Sequence, residues 1–358
     1  MHIPDGYLSP STCATLYACA ASGWYAALRR VRRMLGTRTI PLVSVFAAFS
    51  FVVMMFNIPL PGGTTGHAVG VAVAAIVLGP WGAILAISIA LAIQALFFGD
   101  GGITTFGANS FNMAIVGSLV AYGVYRALAA RSEARSARRV WAAAIAGYVA
   151  INASALITAV ELGIQPTLFH DAAGTPLYAP YPLRIAIPAM MIGHLTFAGL
   201  AEAAISAGMI SYLQRADVGL LQGVGSRASE GALTPNEAAA SRPLWWAVAL
   251  LMLCTPLGIL AVGTAWGEWS ASELTDPNAR ARIASASGND ALPAALPQGM
   301  QKISAMWTAP FPGYAPRFVK SATFGYLLSA MFAVGLLACG SLVFRAVSTR
   351  RPPRGLPT

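Results

Sequence analysis

The chain opens MHIPDGYLSP, so a histidine stands directly behind Met1. A free terminal amine, the deprotonated amide nitrogen of residue 2 and the imidazole Nδ1 of His2 can bind one metal ion in fused five- and six-membered rings. These three donors share a plane, and a fourth nitrogen completes a square. Square-planar nitrogen favours Ni2+ or Cu2+, whereas Zn2+ prefers a tetrahedron. The histidines are four: His2, His67, His170 and His194. His67 lies in PGGTTGHAVG, where Gly62, Gly63 and Gly66 allow close backbone approach, and it is the candidate fourth donor. Pro4 and the Asp5-Gly6 pair predict a turn that brings the terminus back to the protein. Taken singly, His67 also reads as a cap or interfacial residue; its pairing with His2 on one membrane face makes it a ligand candidate.

A second polar group lies in FFGDGGITTFGANSFNMA, with Asp100, Thr104, Asn109 and Asn112. Asp100-Gly101-Gly102 predicts a turn and Asn109 or Ser110 a helix cap. The amides of Asn109 and Asn112, and less directly Asp100, can also orient a chelating loop or accept a ring N–H from a ligand histidine. Glu161 and Glu202 fall inside expected apolar helices, where ionisable groups are costly. They are expected to pair with Arg184 or His194, or to face a partner subunit. His194 reads as a hydrogen-bonded core residue and His170 as a loop residue. Cys13, Cys19, Cys254 and Cys339 form no CxxC pair and are expected to be packing residues. No GxxxxGK[ST] motif occurs, and the two lysines, Lys302 and Lys320, follow no Gly-rich loop, so ATP hydrolysis by a P-loop is excluded.

The elements that must carry these residues are membrane helices. Of 358 residues, 56% are hydrophobic and 10% charged, where an average soluble domain has about 25% charged. The mean hydropathy is +0.63. The expected fold is an all-α, polytopic bundle of nine helices near 11–28, 40–59, 67–79, 81–98, 108–129, 140–164, 183–213, 244–264 and 322–345. Gly79-Pro80 separates the short third helix from the fourth. Placing the amino end outside puts most arginines, including Arg29, Arg30, Arg32, Arg33, Arg38, Arg126, Arg131, Arg135, Arg138 and Arg139, on the inner side. Arg215, Arg227, Arg242, Arg345, Arg350, Arg351 and Arg354 join them. Cytoplasmic loops are rich in Lys and Arg, so the expected orientation is N-out, C-in. The net charge of +10 then reflects topology and membrane lipid, and no nucleic-acid partner is expected. The first segment lacks a basic leader and is expected to be retained, with Met1 as the mature terminus.

MHIPDG, GGTTGHAVG, FFGDGGITTFGANSFNMA and GHLTFAGLAEA resemble, in order and spacing, the CbiM/NikM family, the substrate-capture subunits of nickel and cobalt energy-coupling-factor importers. The resemblance implies that Met1, His2 and His67 hold the metal. It implies partners as well: a transmembrane coupling subunit like CbiQ/NikQ and cytoplasmic ATPases like CbiO/NikO. TPLGILAVGTAWGEW, LPQGMQKISAMWTAPFPGYAP and a final helix resemble the two-helix NikN component. That component commonly reads PDGLE where this chain has Pro297-Gln298-Gly299-Met300-Gln301, so no direct metal role is expected of those residues. The expected organisation is a capture domain at 1–215, a cytoplasmic linker at 216–243, and a NikN-like region at 244–358 with an outer loop at 265–320.

The expected function is capture of Ni2+ or Co2+ by a non-enzymatic transport subunit in a bacterial or archaeal cytoplasmic membrane. The pattern leans toward nickel and implies no organic cofactor. The rival reading is a self-sufficient proton-coupled metal carrier using Glu161 and Glu202. It would require ionisable residues along a whole pathway and often inverted repeats, and neither is visible.

Overall fold

The computed structural model describes residues 1–34, 39–222, 242–304, 306–316 and 318–349. Most of the expected linker lies outside these residues, as do Arg38, Arg227, Arg317, Arg350, Arg351 and Arg354. The described chain is mostly helical. Five helical stretches are long and apolar enough to cross a membrane: Val71–Phe98, Phe106–Ala129, Ala137–Leu168, Leu183–Ala216 and Ala322–Val343. Ile40–Met54 and Leu244–Leu260 are apolar but shorter.

Helix α1 (Pro10–Met34) starts where the sequence can start a helix. The Ser9 hydroxyl accepts from the amide of Thr12 at 3.1 Å, and Pro10 takes the first helical position, where no N–H is needed. Helix α2 (Thr39–Met54) ends earlier than expected. The chain then makes a hairpin of β1 (Ile58–Leu60) and β2 (Thr64–Gly66), with Ile58 opposite Gly66. This corrects the purely helical expectation. The third helix is expected to start at 67; the β-branched threonines before it instead pair antiparallel, and His67 emerges from the strand, not from a helix start.

Helix α3 (Val71–Ile93) is the axis of the bundle, packed on α1, α2 and the helices that follow. Val71 through Leu78 are all buried, as suits a segment apolar all round. The expected third and fourth helices are halves of this run: Gly79 breaks it at φ 71 and ψ 166, and Pro80 restarts it. The first half is therefore shorter than expected. It begins at Val71, and the Glu202 carboxylate caps it by accepting from the amides of Val69 at 2.7 Å and Gly70 at 2.9 Å. Four unpaired N–H groups at a buried helix start need such acceptors.

A π turn, Gln94–Phe98, ends α3. Helix α4 (Phe106–Asn109) runs through a π segment, Ser110–Val116, into α5 (Gly117–Ala129). Helix α6 (Ala137–Gly163) packs on α5, and α7 (Gln165–Leu168) is a single turn. Helix α8 (Leu183–Gly193) continues through a π segment, His194–Ala198, into α9 (Gly199–Ala216); both α8 and α9 lie against α6. Trp141, Ile145, Val149, Leu156 and Val160 form an exposed apolar stripe down α6 at helical spacing, the face expected toward lipid.

Helix α10 (Arg242–Cys254) ends in a 3-10 run, Thr255–Leu260. The long connection that follows contains α11 (Pro277–Ala286) and α12 (Gln298–Ile303), and α13 (Ala322–Thr349) returns along α2. The last two apolar helices are thus docked on the first domain and do not stand apart from it.

Candidate metal centre

The amino terminus is driven into the bundle by its own turn. Gly6, at φ +89, lies so close to Met300 that an added Cβ would sit 2.7 Å from the Met300 Cα. This explains the PQGMQ stretch as a buttress: Gly299 donates its amide to the Leu177 carbonyl at 2.7 Å, and α12 presses on the turn. Tyr7 donates its hydroxyl to the Trp269 carbonyl at 2.7 Å, and its own carbonyl accepts from Ala179 at 3.0 Å.

The residue 100–109 segment clamps what remains. Asp5 accepts from the Thr104 amide at 2.7 Å, the Thr104 hydroxyl at 2.5 Å and the Ile103 amide at 3.1 Å. Gly102 passes so near Asp5 that a Cβ would overlap its carboxylate. The Ile3 carbonyl accepts from the Gly102 amide at 3.0 Å, from Asn109 Nδ2 at 3.1 Å and from the Thr105 hydroxyl, while the Ile3 amide donates to Asn109 Oδ1 at 2.8 Å. Asn109 thus engages residue 3 with both ends of its amide. This is the loop-orienting role expected of it. Asn112 is elsewhere: its amide donates to Thr158 at 3.1 Å and Glu161 at 2.7 Å.

So seated, Met1, His2 and His67 are buried side by side. The His2 and His67 ring centroids are 5.0 Å apart, with the planes at 81°. A metal–nitrogen bond of about 2 Å puts an ion about 3 Å from a ring centroid. By that geometry two imidazoles on adjacent corners of a square would have centroids about 4.5 Å apart, and on opposite corners about 6 Å. The observed spacing is nearer the adjacent arrangement. His67 Nδ1 lies 3.0 Å from the Ala68 carbonyl, which fixes the proton on Nδ1 and leaves Nε2 with a free lone pair. His67 Nε2 and both ring nitrogens of His2 are buried without a hydrogen-bond partner. Buried ring nitrogens left without such a partner are costly unless a ligand uses them.

Two carboxylates complete the environment. Glu268 Oε1 accepts from the Met1 amine at 2.6 Å and from the His2 amide at 2.7 Å. Asp100 Oδ1 is 3.0 Å from His2 Nδ1 without being aligned for a hydrogen bond, and Asp100 Oδ2 accepts from Tyr314 at 2.5 Å and Gln94 at 3.2 Å. Burial disfavours charge on His2, but the Asp100 carboxylate, with Glu268 behind it, more than offsets this and raises the His2 pKa above its usual value. His67 has no such compensation: burial, then the positive charges of His2 and the amine, push it down to about 3. For Asp100, burial opposes ionisation but the neighbouring His2 outweighs it and holds the carboxyl well below its usual range.

Among the described residues no three His, Cys, Asp or Glu side chains form a metal-binding group. The Met1 amine and the His2 amide are the main-chain nitrogens next to the two imidazoles, and both face Glu268. Glu268 was visible in the sequence only as one acid of an outer loop; nothing in its spacing from Met1 announced the contact. His194 is buried and its Nδ1 is 2.8 Å from the Met190 carbonyl, whereas His170 is exposed. Arg184 pairs with Asp290 at 2.9 Å, which corrects the expected pairing with Glu161 or Glu202. Those two carboxylates accept from Asn112 and from the Val69 and Gly70 amides instead.

Asn109→Ala should loosen the first three residues while the bundle stays folded. Losing a pair of buried hydrogen bonds typically costs about 1–3 kcal/mol, so acylation of the Met1 amine by an amine-directed reagent should quicken about tenfold. An unchanged labelling rate would show that Asn109 does not hold the terminus.

The family described as "cobalt uptake substrate-specific transmembrane region", CbiM, matches residues 2–220. A fused nickel transport protein NikMN of Rhodobacter capsulatus is 51% identical over 358 residues, covering 98% of this chain and 99% of that protein. A probable fused nickel transport protein LarMN of Lactiplantibacillus plantarum is 40% identical over 337 residues, covering 93% of this chain and 94% of its own length. A crystal structure of a transition metal transporter superposes with a TM-score of 0.57 at 51% identity, over 60% of this chain and 93% of that one. With the family match spanning more than half the sequence and the fused relatives running nearly end to end, this chain belongs to the CbiM family, joined to a NikN-like carboxyl-terminal region.

Proposed function

We propose that the chain is the substrate-capture membrane subunit of an ATP-driven importer, taking Ni2+ or Co2+ from the outer face into a square of four nitrogens. The donors are the Met1 amine, the His2 amide nitrogen, His2 Nδ1 and His67 Nε2. One observation carries this reading: His67 Nε2 is buried without a hydrogen-bond partner beside the His2 imidazole and a buried terminal amine. The transport names of the fused relatives support the cargo. Binding removes one proton from the ammonium, one from the amide and, where the His2 ring is protonated, one from it, and all leave to water.

The reading also includes nine spans with the amino end outside, and ATP hydrolysis by CbiO/NikO-like subunits working through a CbiQ/NikQ-like coupling protein. Glu161 and Glu202 serve as local props in it, since each is hydrogen-bonded to a neighbouring segment. A reporter behind Arg354 should face the cytoplasm and a tag within 265–320 the outside. Vesicles holding this chain alone should bind metal without accumulating it when ATP is added. ATP-driven accumulation by the single chain would refute the partnership.

Adding one residue before Met1 keeps every side chain but removes the five-membered chelate ring. His67→Ala vacates the fourth corner. Loss of a contact that merely orients a ligand costs about 10–100-fold in affinity, so each of these changes should cost at least that. His170→Ala and His194→Ala should change affinity little. Wild-type affinity in a folded, extended protein would remove the amine from the ligand set.

Metal affinity should also fall as pH falls, by about one log unit per pH unit for each competing proton. Because His2 is held above its usual 6.5, the weakening should begin on the alkaline side of that value. His67, at about 3, stays neutral throughout. A Ni2+ titration that is flat with pH would contradict protonatable nitrogen ligands.

A further inference from the structure

A cavity of about 390 Å3 opens beside the site, between the hairpin, the residue 98–100 turn and the carboxyl-terminal region. It is lined by Asn57, Thr65, Tyr314 and Tyr326, among others, and reaches His67, Asp100 and Glu268. The charged side chains on its wall are Asp100 and Glu268, with no lysine or arginine among the lining residues. Six waters occupy about 180 Å3 in the liquid, so a hydrated divalent cation fits. Burial is layered. The Met1 and His2 side of the contacts is 1% exposed, while Glu268 and Asp100 are 15% and 19% exposed. An arriving cation therefore meets carboxylate before nitrogen.

The two acids differ in freedom. Asp100 is held by Tyr314 and Gln94 besides its contact with His2. Among the described residues the Glu268 side chain bonds only to the amine and the His2 amide. Its backbone, by contrast, is fixed between two buried anchors: Trp266 and Trp269 lie edge to face at 5.4 Å, and Trp266 stacks on Tyr181 at 6.0 Å. Glu268 Oε1 thus bridges two of the proposed donors at the place a cation would share between them. Metal binding takes the only hydrogen of the amide and one from the ammonium, so Glu268 loses its bond to the His2 nitrogen and its ion pair with the amine in the same event.

Building on the four-nitrogen reading above, we propose that Glu268 is a transfer ligand. It holds the empty chelate closed, takes a hydrated divalent transition-metal cation from the cavity on its carboxylate oxygen, and yields it to the nitrogens as they lose their protons. Such a group speeds loading and unloading alike, because both pass through the same carboxylate-bound state. It acts as a gate built into the carboxyl-terminal region of the fused chain.

The test is stopped-flow binding of Ni2+ alone to the purified full chain and to Glu268→Gln, Glu268→Asp and His67→Ala, with circular dichroism to verify folding. Charged, focused sites raise association rates by about tenfold or more. Glu268→Gln should therefore slow association about tenfold and slow dissociation in parallel, and Glu268→Asp should recover part of both rates. An unchanged association rate in Glu268→Gln overturns the proposal. So does slower association with dissociation unaltered, which would mark Glu268 as a steering charge alone. The His67→Ala arm separates the two claims: wild-type equilibrium affinity there sinks the nitrogen site itself, whatever Glu268 does.

Discussion

The arrangement around residues 1–9 depends on burying the terminal amine inside an apolar bundle. An ammonium taken from water costs several kcal/mol unless it is paired and hydrogen-bonded. The chain meets that cost with Glu268 on the amine and on the His2 amide, and with Asn109, Gly102 and Thr105 on the two polar groups of Ile3. These contacts leave the ring nitrogens unspent. A site made from main-chain nitrogen has little freedom to adjust, so its geometry must come from what holds the segment behind it. Asp5 on the Thr104 backbone and Met300 against Gly6 supply that support.

The His67 side of the site is built by a different device. His67 stands between a short hairpin and the first half of α3, and its position is set by the carboxylate of Glu202 on the next two amides. A helix that breaks at Gly79 can place its start deep in the bundle, because the half-helix need not span the full thickness. Ser9 is tied in as well, its amide donating to Gln165 at 3.0 Å, so the terminus and the α6–α7 corner are one unit. Polar residues inside the apolar bundle here hold strands and loops in place, which accounts for Glu202 and Asn112 without a proton path.

The carboxyl-terminal region is part of the architecture around this site and not an appendage. Tyr314 stacks on Phe98 at 4.8 Å and bonds to Asp100, and Tyr326 reaches the Met55 carbonyl at 3.0 Å. It therefore walls the cavity, props the terminal turn and delivers Glu268. In a fused chain these contacts form within one molecule, which raises their effective concentration without any new interface.

By itself the sequence determined the membrane class, most helix positions, the break at Gly79-Pro80, and the approach of His2 to His67. These are legible because apolar periodicity, glycine-proline breaks and a terminal Met-His are local properties. The hairpin was hidden, since Ile58–Gly66 is too short to show a strand period. The separation of Asn109 from Asn112 was hidden too: neighbours in sequence, they are split by the start of a π segment at Ser110, and no spacing rule anticipates that extra residue per turn. Glu268 meets the His2 amide from 266 positions away. Only the tertiary structure could select it from the acids of the outer loop, because an acid's partner is decided by which backbone groups the folded chain leaves unpaired beside it.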